Sequence, residues 1–166
     1  MEFFQWLWED ADKLSGIAAV LAFVIAVLAL RAQREHNRLS VRPLPEIKFK
    51  DLEGHQVVTL ANHGTGPLII KALGISKGGD IVADALIDLM PAHIKSWDWF
   101  VGSLNGRSVP VGGSIDLIEY KTISKSNQQA VRGALKDLSV HVIYCDIYNG
   151  DHPVYRKSLE WFGRHD

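Results

Sequence analysis

Several chemical features are scarce in this sequence, and each absence excludes a class of protein. Cys145 is the single cysteine among the 166 residues, so an intrachain disulfide is impossible and a reducing cytoplasm is permitted. The formal net charge of −1 provides no basic field that would attract nucleic acid. The metal-binding spacings H-x-H, C-x-x-C and H-E-x-x-H do not occur. We therefore predict no cofactor, no metal and no nucleic-acid partner.

Charge is also missing from the stretch Leu14 to Leu30, which reads LSGIAAVLAFVIAVLAL. At the rise of an α-helix, this stretch and an adjoining turn cover a hydrocarbon core of about 30 Å, so residues 14–30 are predicted to form a single transmembrane helix. A buried helix of a soluble protein is disfavoured because no face of the stretch is polar. A cleavable secretory signal is disfavoured because acidic residues stand where a signal has positive charge: Glu2, Glu9, Asp10 and Asp12.

The charges that flank the predicted span indicate its orientation. The amino-terminal flank is acidic, whereas the segment 31–42 is basic. Because positive side chains are retained in the cytoplasm, the amino terminus is predicted to lie outside and residues 43–166 in the cytoplasm. The positive charge of the carboxyl-terminal flank comes from four arginines: Arg31, Arg34, Arg38 and Arg42.

The two ends of the span carry further signals. Trp6 and Trp8 make residues 1–13 a predicted extracytoplasmic interfacial segment, because amphipathic aromatic rings favour the lipid headgroups. Residues 31–42 form a predicted basic juxtamembrane helix and linker, since good helix formers continue until Pro43 stops them. Membrane lipid is therefore an expected partner, and the connection to the domain is expected to be short.

Small residues within the span raise the question of self-association. Ala18, Ala22 and Ala26 recur at four-residue spacing, which would let two helices approach closely. This pattern suggests a homo-oligomer formed through the span. Alanine is also simply common in such helices, so an anchor without self-association stays open.

From Glu46 onward the apolar residues recur with a period of two, which is typical of β-strands. About seven short strands, one crossover helix capped by Ser126 and no βαβ alternation predict an antiparallel β-sandwich over residues 43–166 with one or two short helices. Residues 81–91 fit either a strand or a short helix ended by Pro91. The predicted strands cover residues 46–52, 55–61, 68–75, 93–101, 114–121, 140–148 and 154–161.

An aromatic cluster in the middle of this domain is the candidate partner surface. Trp97, Trp99 and Phe100 stand close together in the sequence, and aromatic clusters are enriched in binding hot spots. Burial in the core is nevertheless favoured over exposure, because that is the usual position of large apolar side chains. Only exposed side chains would contribute a partner surface.

Three patterns have the outline of chemical sites. Residues 74–78 match G-x-S-x-G, with Asp146 and His152 following in the chain order of a triad, but a turn follows instead of the helix of a nucleophile elbow. His141 and Cys145 lie four apart on one strand face, yet Cys145 is predicted to be a buried apolar residue. Residues 64–66 (Gly-Thr-Gly) are interpreted as a turn in which glycine supplies positive φ. No enzyme activity is predicted.

Three segments give the chain a resemblance to a known group. They are Asn37–Pro43, the loop Asn62–Pro67 and the late strand Tyr144–Gly150. The chain resembles small bacterial membrane-anchored proteins of unknown function that carry an immunoglobulin-like domain after one N-terminal span. The resemblance implies an immunoglobulin-like form for the sandwich and a single-pass topology at a bacterial inner membrane, and it implies no catalytic residues.

Two functions remain open. In the first, the cytoplasmic sandwich is a protein-interaction module that the helix confines to the membrane. In the alternative, the domain senses a ligand such as a nucleotide and the spans then cluster to disturb the bilayer, as in membrane effectors of bacterial antiphage systems. The candidate cations for such a ligand are Lys71, Lys77, Arg107, Lys121 and Lys125.

Overall fold

The structure is a computed structural model that describes residues 2–164, with side chains described from Leu14 onward. It divides into two compact units, and the boundary along the sequence falls between Ser40 and Val41. The first unit is one helix, α1 (Glu2–Ser40), and its part Leu14–Ser40 is long and apolar enough to span a membrane. The prediction that the helix continues past Leu30 and ends before Pro43 is confirmed, since a proline disfavours helical backbone at the residue before it.

The second unit consists mainly of two antiparallel sheets. The strands β1, β2, β7 and β5 form the first sheet in that order, and β4, β3, β8 and β9 form the second, in which β6 also pairs with β3. Within residues 41–164 the strands are β1 (Pro45–Leu52), β2 (His55–Asn62), β3 (Leu68–Lys77), β4 (Asp80–Ala83), β5 (Trp99–Phe100), β6 (Ser108–Val109), β7 (Ser114–Lys121), β8 (Leu138–Cys145) and β9 (Tyr155–Ser158). The helices are α2 (Lys125–Lys136) and two 3₁₀ turns, Leu86–Leu89 and Glu160–Gly163.

One hydrophobic core is shared by both sheets. Alternate residues of each strand point inward, as the period of two requires, so Val58 and Leu60 from the first sheet and Ile75 and Val140 from the second are fully buried in the same cluster. Phe162, in the last 3₁₀ turn, is the largest fully buried side chain. The outward faces of both sheets therefore remain available for polar residues.

Several predicted elements differ from the observed ones at their ends. The predicted strand 93–101 is reduced to β5, and the predicted strand 154–161 stops at Ser158, where a 3₁₀ turn begins. The helix cap is Ser124 and not Ser126: the Ser124 hydroxyl accepts a hydrogen bond from the Asn127 backbone N–H at 3.4 Å. Residues 81–91 contain both alternatives, a short strand and then a 3₁₀ turn. The strand count exceeds about seven because β4 and β6 are too short to show a periodic pattern.

The loop that follows β2 binds the chain segment that enters the domain. The fully buried Asn62 side chain accepts hydrogen bonds from the backbone N–H groups of Leu44 (3.2 Å) and Gly64 (2.9 Å), and it donates to the carbonyl of Gly66 (2.8 Å). Neither glycine has positive φ, so that interpretation of residues 64–66 is wrong. A Cβ at Gly66 would instead overlap the carbonyl oxygen of Val41. Glycine is needed here because two backbone segments touch.

Candidate functional site

The aromatic cluster at β5 divides into a packed residue and two exposed ones. Trp99 and Phe100 pair with Glu119 and Ile118 of β7, and their side chains are 53% and 50% exposed. The expectation that they are buried is therefore wrong. It fails because β5 ends the order of its sheet, so among the described strands its only neighbour is β7. We call these two residues the aromatic edge.

Trp97 fills a different role from the aromatic edge. Its ring lies 4.9 Å from the ring of Tyr120, centroid to centroid, and packs against the core. Its indole N–H donates to the carbonyl of Ile94 at 3.1 Å. The burial expected of a large apolar ring thus applies to Trp97, which leaves Trp99 and Phe100 as the part of the cluster that a partner can reach.

The backbone around the aromatic edge is fixed on one side by hydrogen bonds. The carboxylate of Asp98 accepts from the backbone N–H of Lys121 at 2.6 Å, and the backbone N–H of Val101 donates to the Leu117 carbonyl at 3.1 Å. The indole N–H of Trp99 donates to the carbonyl of Asp116 at 3.1 Å. The backbone of the aromatic edge and the Trp99 ring are thus held in place before any partner binds, which lowers the ordering cost of binding.

Beside Trp99, the outward face of the first sheet carries a small network of charges. Glu119 lies 2.7 Å from the Lys121 ammonium and 2.9 Å from the His55 ring nitrogen. Hydrogen bonds from Lys121 and then from His55 lower the pKa of Glu119 below its usual value. The aromatic edge is therefore bordered by an ionised carboxylate and a lysine, which resembles the polar rim of a protein interface.

The G-x-S-x-G match does not form a nucleophile elbow. Ser76 lies within the strand β3, and Gly78 and Gly79, with φ of +62° and +106°, make the turn into β4. An elbow needs a sharp turn from a strand into a helix at the serine itself. The serine hydroxyl does lie 2.7 Å from Nε2 of His141, a contact that nothing in the sequence indicates.

The other residues that were candidates for chemistry, Asp146, His152 and Cys145, have contacts or positions that stabilise the fold. The Asp146 carboxylate accepts hydrogen bonds from the backbone N–H groups of Tyr148 (2.8 Å) and Gly150 (3.0 Å) and lies 3.2 Å from His152 Nε2. Burial raises the pKa of Asp146, but these three contacts outweigh it and hold the pKa below its usual value. Cys145 is buried, as predicted. In the described part of the chain, no cluster of three or more His, Cys, Asp or Glu side chains forms a metal site.

A second buried carboxylate, Asp51, joins three distant segments. Its side chain is fully buried and contacts the guanidinium groups of Arg132 at 2.9 Å and Arg164 at 3.0 Å. The Gln56 side chain also donates to it at 3.2 Å. These arginines were not predicted. The sequence contains one signal for this cluster. Asp51 follows Ile47 and Phe49 at alternate positions of β1, on the face that points inward, and a buried carboxylate needs a partner.

The five cations proposed for a ligand do not form one group. The Lys71 ammonium contacts Asp151 at 2.9 Å, Lys121 contacts Glu119 at 2.7 Å and Lys125 lies 3.9 Å from Glu53. Lys77 lies six residues after Lys71 on β3, about 20 Å away at the rise of a strand. Arg107 precedes β6 and is exposed. These residues therefore do not define a pocket together.

The residues assigned to the membrane are found on α1 or just after it. The side chains of Trp6 and Trp8 lie outside the described residues. Ala18, Ala22 and Ala26 are exposed along one line of the helix. The remaining membrane-flanking side chains are also exposed: Arg31, Arg34, Arg38 and Arg42.

In comparisons with known proteins, no family model, no curated protein and no solved structure matches this chain.

Proposed function

We propose that this chain is a single-pass inner-membrane protein whose cytoplasmic domain binds a protein partner through the aromatic edge, and that it acts without catalysis. The observation that carries the proposal is the half-exposed pair Trp99 and Phe100 at the free edge of a sheet. Exposed aromatic rings cost solvation free energy in the isolated domain, and Trp is the residue most enriched in binding hot spots. A partner strand or loop that covers them would recover this free energy.

The membrane part of the proposal is supported by α1 and its flanks. Leu14–Ser40 is long and apolar enough to span a membrane, and its apolar side chains are exposed within its own unit. Burial in lipid removes these side chains from water. The arginines after Leu30 and the acidic residues before Leu14 support a cytoplasmic domain by the positive-inside rule.

The fold part of the proposal is that the domain is an immunoglobulin-like sandwich. The order β1-β2-β7-β5 corresponds to strands A, B, E and D of that fold, and β4-β3-β8-β9 corresponds to C′, C, F and G. The disulfide that joins strands B and F in antibody domains has no counterpart, because β2 contains no cysteine. Apolar packing between the sheets takes its place.

Site-specific photo-crosslinking tests the partner surface. A photoreactive phenylalanine analogue replaces Phe100 in the full-length chain, expressed in its own membrane. The expected result is a discrete adduct with one partner protein after irradiation. Trp99→Ala in the same chain should weaken the adduct strongly, because truncating a hot-spot aromatic costs about 2 kcal/mol or more of binding free energy.

The matched control carries the same analogue at Val111, which is 56% exposed on the loop before β7. It should give no such adduct. Equal adducts from both positions would show that the crosslinks report general exposure, and no adduct from position 100 would contradict partner binding at the aromatic edge.

A further inference from the structure

The outward face of the second sheet carries a polar cluster on the opposite sheet from the aromatic edge. The register of β3, β8 and β9 aligns Ser76, Ser139 and Ser158 in one row across the sheet. Two residues further along the strands, the next row on the same face contains Gly74, His141 and Arg156. We call the side chains of these two rows the serine–arginine face: Ser76, Ser139, Ser158, His141 and Arg156.

These side chains line a cavity of about 280 Å³. The turn residues Gly78 and Gly79 also line this cavity and, because they have no side chains, contribute only backbone to it. Lys157 also lines the cavity, but it belongs to the core-facing row, and its ammonium lies 5.7 Å from the centroid of the Phe49 ring. Arg156 is therefore the cation that reaches the cavity from β9.

The cavity contains hydrogen-bond donors and no carboxylate among its described lining residues. Three hydroxyls and one guanidinium point to the same side of the sheet. A guanidinium offers two parallel N–H donors to an oxyanion, and each hydroxyl offers one more. These donors match a tetrahedral oxyanion, a group in which several anionic oxygens surround one central atom.

The contact between Ser76 and His141 would make the protonation of the His141 ring depend on a bound anion. The Ser76 side chain is buried, and its hydroxyl lies 2.7 Å from His141 Nε2. Burial first, and then the charge of Arg156, lower the pKa of His141, so the ring is neutral at neutral pH. Around this ring β9 presents Arg156, β3 presents Ser76 and Gly74, and Ile81 of β4 covers Gly74. An anion beside Arg156 would offset its charge and favour the protonated ring.

Ester hydrolysis by the Ser76–His141 pair is the competing interpretation. A nucleophilic serine needs a base that is oriented by a third group and a strained turn that exposes the hydroxyl. In the described residues no carboxylate contacts His141, and Ser76 lies within the strand β3, paired with Ser139 of β8 and Ile81 of β4, and not on a strand-to-helix turn. The geometry therefore favours binding over bond cleavage.

We propose that the serine–arginine face binds a phosphate monoester group, with Arg156 contacting two phosphate oxygens and the serine hydroxyls the others. The group has two sources, a soluble phosphorylated metabolite or the headgroup of phosphatidic acid. This site is independent of partner binding at the aromatic edge, and neither proposal requires the other.

The test uses the full-length protein in phosphatidylcholine nanodiscs, labelled with ¹³C at the histidine rings. Inorganic phosphate is titrated at constant ionic strength, and the His141 resonance is assigned by its loss in His141→Gln. The expected result is a saturable shift of this resonance and a higher titration midpoint when phosphate is bound. Arg156→Gln should weaken the apparent affinity about tenfold, because it removes a charge-assisted contact.

Arg107→Gln is the matched control, since Arg107 is exposed on another part of the domain and should leave the affinity unchanged. Nanodiscs that contain phosphatidic acid, without free phosphate, distinguish the sources: a His141 shift there, lost in Arg156→Gln, assigns the site to the lipid headgroup. A shift that does not saturate, or that survives Arg156→Gln in both arms, overturns the proposal, as does no shift in either arm.

Discussion

Asp51 and Asp146 are both buried carboxylates, but their partners come from very different distances along the chain. Asp146 is satisfied by Tyr148, Gly150 and His152, within the turn that follows β8. Asp51 depends on Arg132 and Arg164, which are 81 and 113 residues away. A local turn of this kind can be inferred from neighbouring residues, whereas the Asp51 cluster exists only after the whole domain has folded.

The charge of Asp146 is expected to stabilise the domain in a pH-dependent way. Its folded-state pKa lies below the ordinary value of 3.8, so its contribution is fully present above that value and is lost as pH falls through the folded pKa. Asp146→Asn should lower the free energy of unfolding at pH 7 by about 1–3 kcal/mol, since charge-assisted hydrogen bonds are lost. Denaturant unfolding of the full-length protein in detergent, followed by near-UV circular dichroism, measures this loss.

The difference between wild type and Asp146→Asn should shrink as the pH is lowered below 3.8, because the wild-type carboxyl is then protonated as well. Asp84→Asn, at an exposed position, serves as the control and should change little at any pH. A difference that stays constant from pH 7 down to acid would show that the charge of Asp146 contributes nothing.

At the scale of elements, the long strands follow their sequence pattern and the short ones do not. β1, β2, β3 and β7 have eight or ten residues, enough for the period of two to emerge. β5 and β6 have two residues each and exist only because a longer strand pairs with them. The aromatic edge lies on such a strand, which is why its exposure was not predicted.

Register explains why the serine–arginine face is also invisible in the sequence. Ser76 and His141 are 65 residues apart, and they meet because β3 and β8 pair with Ser76 opposite Ser139. A shift of that pairing by one residue would turn the serines to the core side. The apolar partners Ile75 and Val140 prevent the shift because both must be buried.

The loop Asn62–Pro67 allows a test of how closely it packs against the segment that enters the domain. Gly66→Ala should lower the free energy of unfolding by about 1–3 kcal/mol, because a Cβ there overlaps the Val41 carbonyl and backbone must move. Gly102→Ala is the matched control, since nothing lies within 4 Å of a Cβ at that position. Denaturant unfolding of the full-length protein measures both. Equal stability of the two variants would mean that the contact between residue 66 and the entering segment is not tight in solution.

For the whole molecule, composition and hydrophobic pattern predict the two units well. The apolar stretch Leu14–Leu30 lies within α1, and the period of two appears as two antiparallel sheets with a shared core. What the sequence does not predict is which aromatic rings reach the surface, because an exposed ring and a core ring can have the same residue type. Trp97 precedes the edge strand β5 and packs against the Tyr120 ring, whereas Trp99 lies on that strand and is half exposed.

The oligomeric state distinguishes the proposed partner-binding module from the alternative raised by the sequence, an effector whose spans cluster in the membrane. A partner-binding module needs only an anchor, so full-length protein in detergent is expected to be a monomer by light scattering, with the mass unchanged when Ala18, Ala22 and Ala26 are replaced by leucine. An oligomer that this triple variant dissociates would favour the clustering effector, because bulky residues on that face prevent close helix approach. Val20→Leu with Val24→Leu is the control, since these positions lie about 200° around the helix from Ala22.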